Sequence, residues 1–300
     1  MKILVLTNLY PPAYIGGYEL ICQTVVEGLR QRGHQIEILT SDHQRRRACP
    51  SEVEPPVDRS LRIHGLYGHP WRGVLRLSSI ERHNNARLRD TLMQSKPDLV
   101  YVWNMGGLSK SMLFTLQQTG IPTVFYVSDH WISRSLAQDV WLRWWQATDR
   151  DPARKLLRLA MHISGLQRAW LRRAPAPPVS YLAFRRIYFC SRALRALTAS
   201  AGYAVGHGAV IPPPIHPRYL QSAPVPPPAQ LERLLYVGRL TQDKGVLTAL
   251  RAVALVARPN AGAAEYLQFG RERLHAAAPS VCARTATGSI VRRRPSRDHA

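Results

Sequence analysis

The stretch MKILVLTNLYPPAYIGGYELICQTVVEGLRQRGHQIEILT, residues 1–40, decides the fold. Residues 2–7 are rich in Leu, Ile and Val and read as a short buried strand. Pro11 and Pro12 form a turn, after which a helical apolar pattern runs from Gly17 to Gln31, with Gly33 as its stop. A second apolar run over 35–40 completes strand, helix and strand. That order suits a right-handed parallel βαβ unit, because parallel neighbours need a crossover of a dozen or more residues. The expected fold class is α/β, with a Rossmann-like parallel sheet.

Further along, 45–59 is dense in Arg, Pro and Glu and reads as a surface excursion. A helix is expected over 80–94, a strand in KPDLVYVWNM (96–105) ending at Asn104, and a helix over 109–119. After Gly120 and Pro122, TVFYVSDHW (123–131) reads as a strand delivering Ser128, Asp129 and His130 to its carboxyl end. IYFCSRALRALTASAG (187–202) reads as a strand entering a helix. The prolines of VIPPPIHPRYLQSAPVPPPAQ (210–230) mark a linker, and RLLYVGRLTQDKGVLTALRAVALVARP (233–259) restarts the strand, polar turn and helix pattern. The expected organisation is a first domain over 1–211, a linker over 212–231, the start of a second, incomplete Rossmann-like domain over 232–259, and an atypical, irregular tail over 260–300.

The 300 residues suffice for about two domains. The 41 Lys plus Arg against 19 Asp plus Glu give a net charge of +22, and only five of the basic residues are lysines. This excludes an acidic disordered chain and favours an anionic partner: nucleic acid, an acidic membrane surface or a phosphorylated small molecule. No compact recognition motif accompanies the charge, so no specific nucleic acid is expected. The clusters Arg45 to Arg47 and Arg292 to Arg294 read as solvated basic faces, with contact to anionic lipid head groups or nucleic-acid phosphates as the other reading. Cys22, Cys49, Cys190 and Cys282 lack metal-ligand spacing, so neither a zinc module nor a disulfide scaffold is expected and the simplest compartment is the reducing cytoplasm.

The first apolar run is interrupted at Asn8, Pro11 and Pro12 and reads as a strand rather than a signal peptide. No later run reaches the roughly 18–20 residues needed to cross a bilayer. The mixture of Trp and Arg over 131–170 leaves surface attachment open. Trp141, Trp144 and Trp145 have two readings there, an exposed patch or helix packing.

Several residues suit chemistry at strand ends. Gly16 and Gly17, between a strand and a helix, form either a plain turn or a place where the backbone approaches a diphosphate. Asp129 and His130 follow an apolar strand, so His130 could orient a hydroxyl or act as a base, or the pair could cap locally. In GRLTQDKG (238–245), Arg239 and Lys244 flank a turn and could clamp phosphate oxygens. Glu19 either faces solvent or contacts a ligand.

In combination, NLYPPAYIGGYE (8–19), SDHW (128–131), CSRALRAL (190–197) and YVGRLTQDKG (236–245) resemble a family 4 glycosyltransferase of the two-domain GT-B fold, over roughly residues 1–259. The resemblance implies transfer of a sugar from a nucleotide-diphosphate donor to an acceptor hydroxyl, with retention at the anomeric carbon and no metal or other cofactor. It implies that Gly16 and Gly17 approach the donor phosphates, while Arg239 and Lys244 hold the diphosphate and stabilise the departing nucleotide. It places His130 near the reacting sugar or acceptor, with Asp129 orienting it and Glu19 as a sugar or acceptor contact. The implied acceptor is a glycan, a lipid-linked molecule or a small molecule, and the implied location is cytoplasmic, with peripheral attachment to an anionic membrane.

Two departures stand out. The family often carries His then Asp where this chain has Asp129 then His130. Glu265 and Glu272 keep the seven-residue interval of the family's paired glutamates, but YLQFGR between them lacks the glycine-rich setting, and neither takes that role. Premature truncation or a frame change is the expected origin. A noncatalytic phosphate- or glycan-binding remnant of the same fold is the alternative.

Overall fold

Alternate side chains of β1 (Lys2–Leu6) enter two different cores: Ile3 and Val5 join one apolar cluster, Leu4 and Leu6 the other. The same alternation sends Tyr101 one way and Val100 and Val102 the other in β4 (Leu99–Val102), and divides Tyr126 from Phe125 and Val127 in β5 (Thr123–Val127). A strand buried on both faces needs cover on both, which is the condition for a parallel sheet. The remaining strands are β2 (Gln35–Ser41), β3 (Val57–Leu61), β6 (Ile187–Phe189) and β7 (Ala209–Val210). All neighbours are parallel in the order β3-β2-β1-β4-β5-β6-β7. This is the expected Rossmann-like arrangement.

The computed structural model describes residues 1–43, 56–64, 73–146, 152–215, 236–237 and 242–256. The chain divides into two units, Met1–Ser222 and Ala223–Ala300. In the first, α1 (Gly17–Gln31) covers one face through Cys22 and Val26, whereas α2 (Val74–Ser95) and α3 (Ser111–Thr119) cover the other through Leu77, Leu88, Met112 and Leu116. α7 (Arg192–Ser200) follows β6 as expected, with the Ser191 hydroxyl accepting the Leu194 amide at 3.2 Å. In the second unit, a tight turn over Gln242–Lys244 leads into α8 (Val246–Val256). The strand expected before it, most of the linker and the 260–300 tail lie outside the described residues.

Three expectations change. β3 begins within the last residues of the predicted surface excursion, because an edge strand needs no apolar run: Asp58 pairs with Arg87 at 2.8 Å, and Arg59 donates to the Tyr10 and Pro11 carbonyls at 2.9 and 2.6 Å. α2 begins six residues before the predicted helix. The 131–173 region, left without predicted elements, contains a π-helical turn over Trp131–Leu136 and then α4 (Val140–Gln146), α5 (Pro152–Ile163) and α6 (Leu166–Arg173). Trp141 is fully buried, edge-on to Trp145 at 5.5 Å and 6.2 Å from Trp170, so helix packing is its role. Among the described residues, no helix is long and apolar enough to cross a membrane.

Candidate functional site

From β1 the chain passes to β2 on one side, and from β3 it returns to β4 on the other side of β1. Such a reversal leaves a crevice beyond the carboxyl ends of β1 and β4, the usual ligand position in open parallel sheets. The two loops bounding it are tied together. The Asn8 amide donates to the Asn104 carbonyl at 2.8 Å, and Asn8 Nδ2 donates to the Gly106 carbonyl at 3.0 Å. Asn104 Oδ1 accepts the Gly106 amide at 2.8 Å, and a Cβ on Gly106 would stand 3.0 Å from that oxygen and 3.3 Å from Asn8 Nδ2. A side chain at 106 would press on both asparagines.

No such crowding exists at Gly16 or Gly17. Gly16 precedes α1 in an extended conformation, and a Cβ on either glycine would meet nothing within 4 Å. The helix start thus presents open backbone, where first-turn amides lack intrahelical acceptors. Glu19 does not face solvent: its carboxylate is buried and accepts the Gly16 and Ile15 amides at 3.0 and 3.4 Å, fixing the entry into α1.

Tyr18 carries the helix start to the end of β5. Its hydroxyl donates to the Tyr126 carbonyl at 2.7 Å and accepts the Ser128 amide at 3.4 Å, while its ring packs edge-on against Tyr126 and tilted against Trp103. Asp129 lies just beyond. Its carboxylate accepts the Trp131 amide at 3.0 Å, so it caps the π-helical turn, and the His130 side chain is exposed. The structure thereby gathers Gly16, Gly17, Glu19 and Asp129 at one end of the sheet, with His130 outward. Lys244 belongs to the second unit, exposed, with its carbonyl accepting the Tyr236 hydroxyl at 3.1 Å; Arg239 lies outside the described residues.

Burial raises the Asp129 carboxyl above its ordinary range against the opposing pull of the Trp131 amide, His130 and Lys110. Burial also raises Glu19, with Asp129 adding to the shift. A carboxyl raised in the folded state stabilises the fold while protonated, and that contribution is lost as pH climbs from the unfolded value through the folded one. Asp129→Asn keeps an acceptor for the Trp131 amide and removes the charge. Its melting temperature should gain on the wild type as pH rises from about 4, where the carboxyl of the unfolded chain ionises. Thermal unfolding at several pH values checks this, and a gap that narrows with rising pH contradicts it.

Sequence reasoning missed Asn8, Tyr18 and Asn104, and also a buried polar seam beneath the β4–α3 loop. There His64 Nε2 lies 2.9 Å from Glu81 Oε1, the Ser111 hydroxyl donates to Glu81 Oε2, and Asn84 Nδ2 donates to Ser109 Oγ at 2.9 Å. The Lys110 amine donates to the Met105 and Leu108 carbonyls at 2.6 and 3.0 Å. Burial lowers its pKa, and Asp139, Glu81 and Asp129 pull it back up. The legible signals were Asn8 and Asn104, each shortly after an apolar strand, and Lys110 amid the small and apolar residues of MGGLSKSMLF (105–114).

No curated protein matches the chain. Among solved structures it is similar to sucrose-phosphate synthase from Thermosynechococcus elongatus (12% identity, 63% of this chain and 47% of that one, TM-score 0.33). It is also similar to a UGT transferase from Siraitia grosvenorii in complex with UDP (12%, 70% and 50%, 0.35) and to MurG from Acinetobacter baumannii (13%, 71% and 68%, 0.33). The matched part spans about half the length of the first two. The Glycosyltransferase Family 4 profile matches residues 15–219, from the loop before α1 to beyond β7, and the phosphate-loop candidate at 236–245 lies outside that match. With more than half of its length matched, the chain belongs to Glycosyltransferase Family 4.

Proposed function

We propose that the chain transfers a sugar, with retention, from a nucleotide-diphosphate donor to a hydroxyl of a glycan, lipid-linked or small-molecule acceptor. The open backbone at Gly16 and Gly17 carries this reading, because neither conformation nor packing accounts for two glycines there. In it, that backbone lies against the donor phosphates, and Glu19 and Tyr18 hold the helix start in place. His130 stands on the side of the reacting sugar or acceptor, beside Asp129. Arg239 and Lys244 hold the diphosphate and neutralise the charge that grows on the departing nucleotide, an interaction stronger in the transition state than in the ground state. These groups supply the charge, so the reading assigns no metal or other cofactor. The chain works in the cytoplasm, peripherally at an anionic membrane.

The test is nucleotide-sugar binding by calorimetry, followed by mass analysis of products from an acceptor panel. Gly17→Val, whose side chain enters open space, should weaken donor binding with little change in melting temperature. Arg239→Ala with Lys244→Ala should lower transfer by about 10²–10³-fold. Donor binding without transfer by the folded wild type identifies a noncatalytic remnant. Absence of donor binding by intact, folded protein overturns the transfer reading and the phosphate-binding form of the remnant.

A further inference from the structure

We propose that α5 and the start of α6 dock this chain on the surface of an anionic lipid bilayer. In PARKLLRLAMHI (152–163), Leu156, Leu159 and Ile163 share one helix face. They are 68%, 54% and 76% exposed, and Leu166, at 40%, is exposed at the start of α6. The helix is seated on the protein by its other edge: Met161 is buried, and the half-buried Arg158 lies over the Trp144 ring at 5.7 Å and donates to the Trp144 carbonyl at 2.8 Å. An amphipathic helix on a globular domain ordinarily turns its apolar face inward. Here that face points out.

Charge selects the occupant. Residues 152–231 contain eleven Lys and Arg and no Asp or Glu. Lys155 of α5 and Arg168, Arg172 and Arg173 of α6 are exposed. A leucine face accompanied by basic residues on the same helices fits a helix lying in the headgroup plane of anionic lipid, with the cations at the phosphates and the leucines at the acyl boundary. A second copy meeting the same face would set one acid-free cationic surface against another. Nucleic acid would satisfy the cations and leave the apolar strip unused. The platform is firmly mounted, since Trp170 of α6 packs on Trp141 and lies beneath the Arg82 guanidinium at 5.6 Å.

The proposal rests on the peripheral attachment proposed above and not on the transfer reaction. Its test is co-flotation of the full chain with phosphatidylcholine vesicles, with and without phosphatidylglycerol. Leu156→Ser with Ile163→Ser removes apolar surface, and Lys155→Gln with Arg168→Gln removes charge. Circular dichroism verifies folding, and light scattering reports the oligomeric state. The wild type should bind the anionic vesicles at least about tenfold more tightly than neutral ones, and each double variant should lose roughly tenfold or more. Wild-type protein that ignores anionic vesicles overturns the attachment and the surface together. Folded variants that bind like wild type leave the attachment standing and overturn this surface. A dimer that dissociates in the Leu156→Ser, Ile163→Ser variant overturns the bilayer as occupant.

Discussion

Lys110→Met is expected to cost about 3–5 kcal/mol of folding stability, the usual consequence of removing one partner from a buried set of charges. Lys110 is buried, and its amine is the donor to the Met105 and Leu108 carbonyls of the β4–α3 loop. Methionine fills the same volume but leaves both carbonyls without that donor, and it leaves Glu81 and Asp139, buried carboxyls that act electrostatically on Lys110, without its charge. Asp139 also accepts the Leu142 amide at 3.0 Å at the start of α4, so the disturbance reaches the tryptophan-bearing helices. Urea unfolding measures the cost. Adding Asp139→Asn should restore part of it, because the two substitutions then remove a pair rather than strand one member. A loss below about 1 kcal/mol for Lys110→Met would show that the seam does not depend on its charge.

Trp141→Ala should cost a similar amount, about 3–5 kcal/mol, through the cavity left by a fully buried indole. The ring packs with Trp145 and Trp170, and its Nε1 donates to the Ala174 carbonyl at 3.2 Å, so alanine also leaves that acceptor unpaired. Trp141→Phe keeps most of the packing and should lose the smaller share, about 1–2 kcal/mol. Denaturant unfolding of both variants separates the two contributions. If alanine is tolerated within about 0.5 kcal/mol, as at an ordinary surface position, Trp141 is not the anchor of α4 to α6. The exposed-patch reading of the tryptophans would then regain its ground.

Legibility followed burial. β1, α1 and β2 were readable because strands buried on both faces carry unbroken apolar runs and the crossover helix carries its own period. β3 was not, because an edge strand is stabilised by its ladder and by pairs such as Asp58 with Arg87 rather than by apolar residues. Helices α4 to α6 escaped because their periodicity is crowded with arginine and their apolar side chains divide between Trp141, turned inward, and Leu156 and Ile163, turned outward. At the candidate site, Gly16, Gly17 and Asp129 were legible from local order and family resemblance. Tyr18 and Lys110 were not, since nothing beside either residue reveals its partner.

Residue order alone thus established the parallel α/β class, the position of the first crossover and the family. Its +22 charge favours anionic partners without saying where on the molecule they would act. Folding supplied the rest, because a polar group's role depends on what surrounds it when water is withdrawn. Tyr18 meets the Tyr126 carbonyl across 108 positions of chain, and Asn8 meets Gly106 across 98. Those contacts turn Glu19 inward to hold α1, aim Asp129 at the Trp131 amide and leave His130 in the open. The same packing buries one face of the tryptophan helices and presents the leucines of α5 to solvent, a choice that periodicity permits in either direction and that tertiary contacts alone resolve.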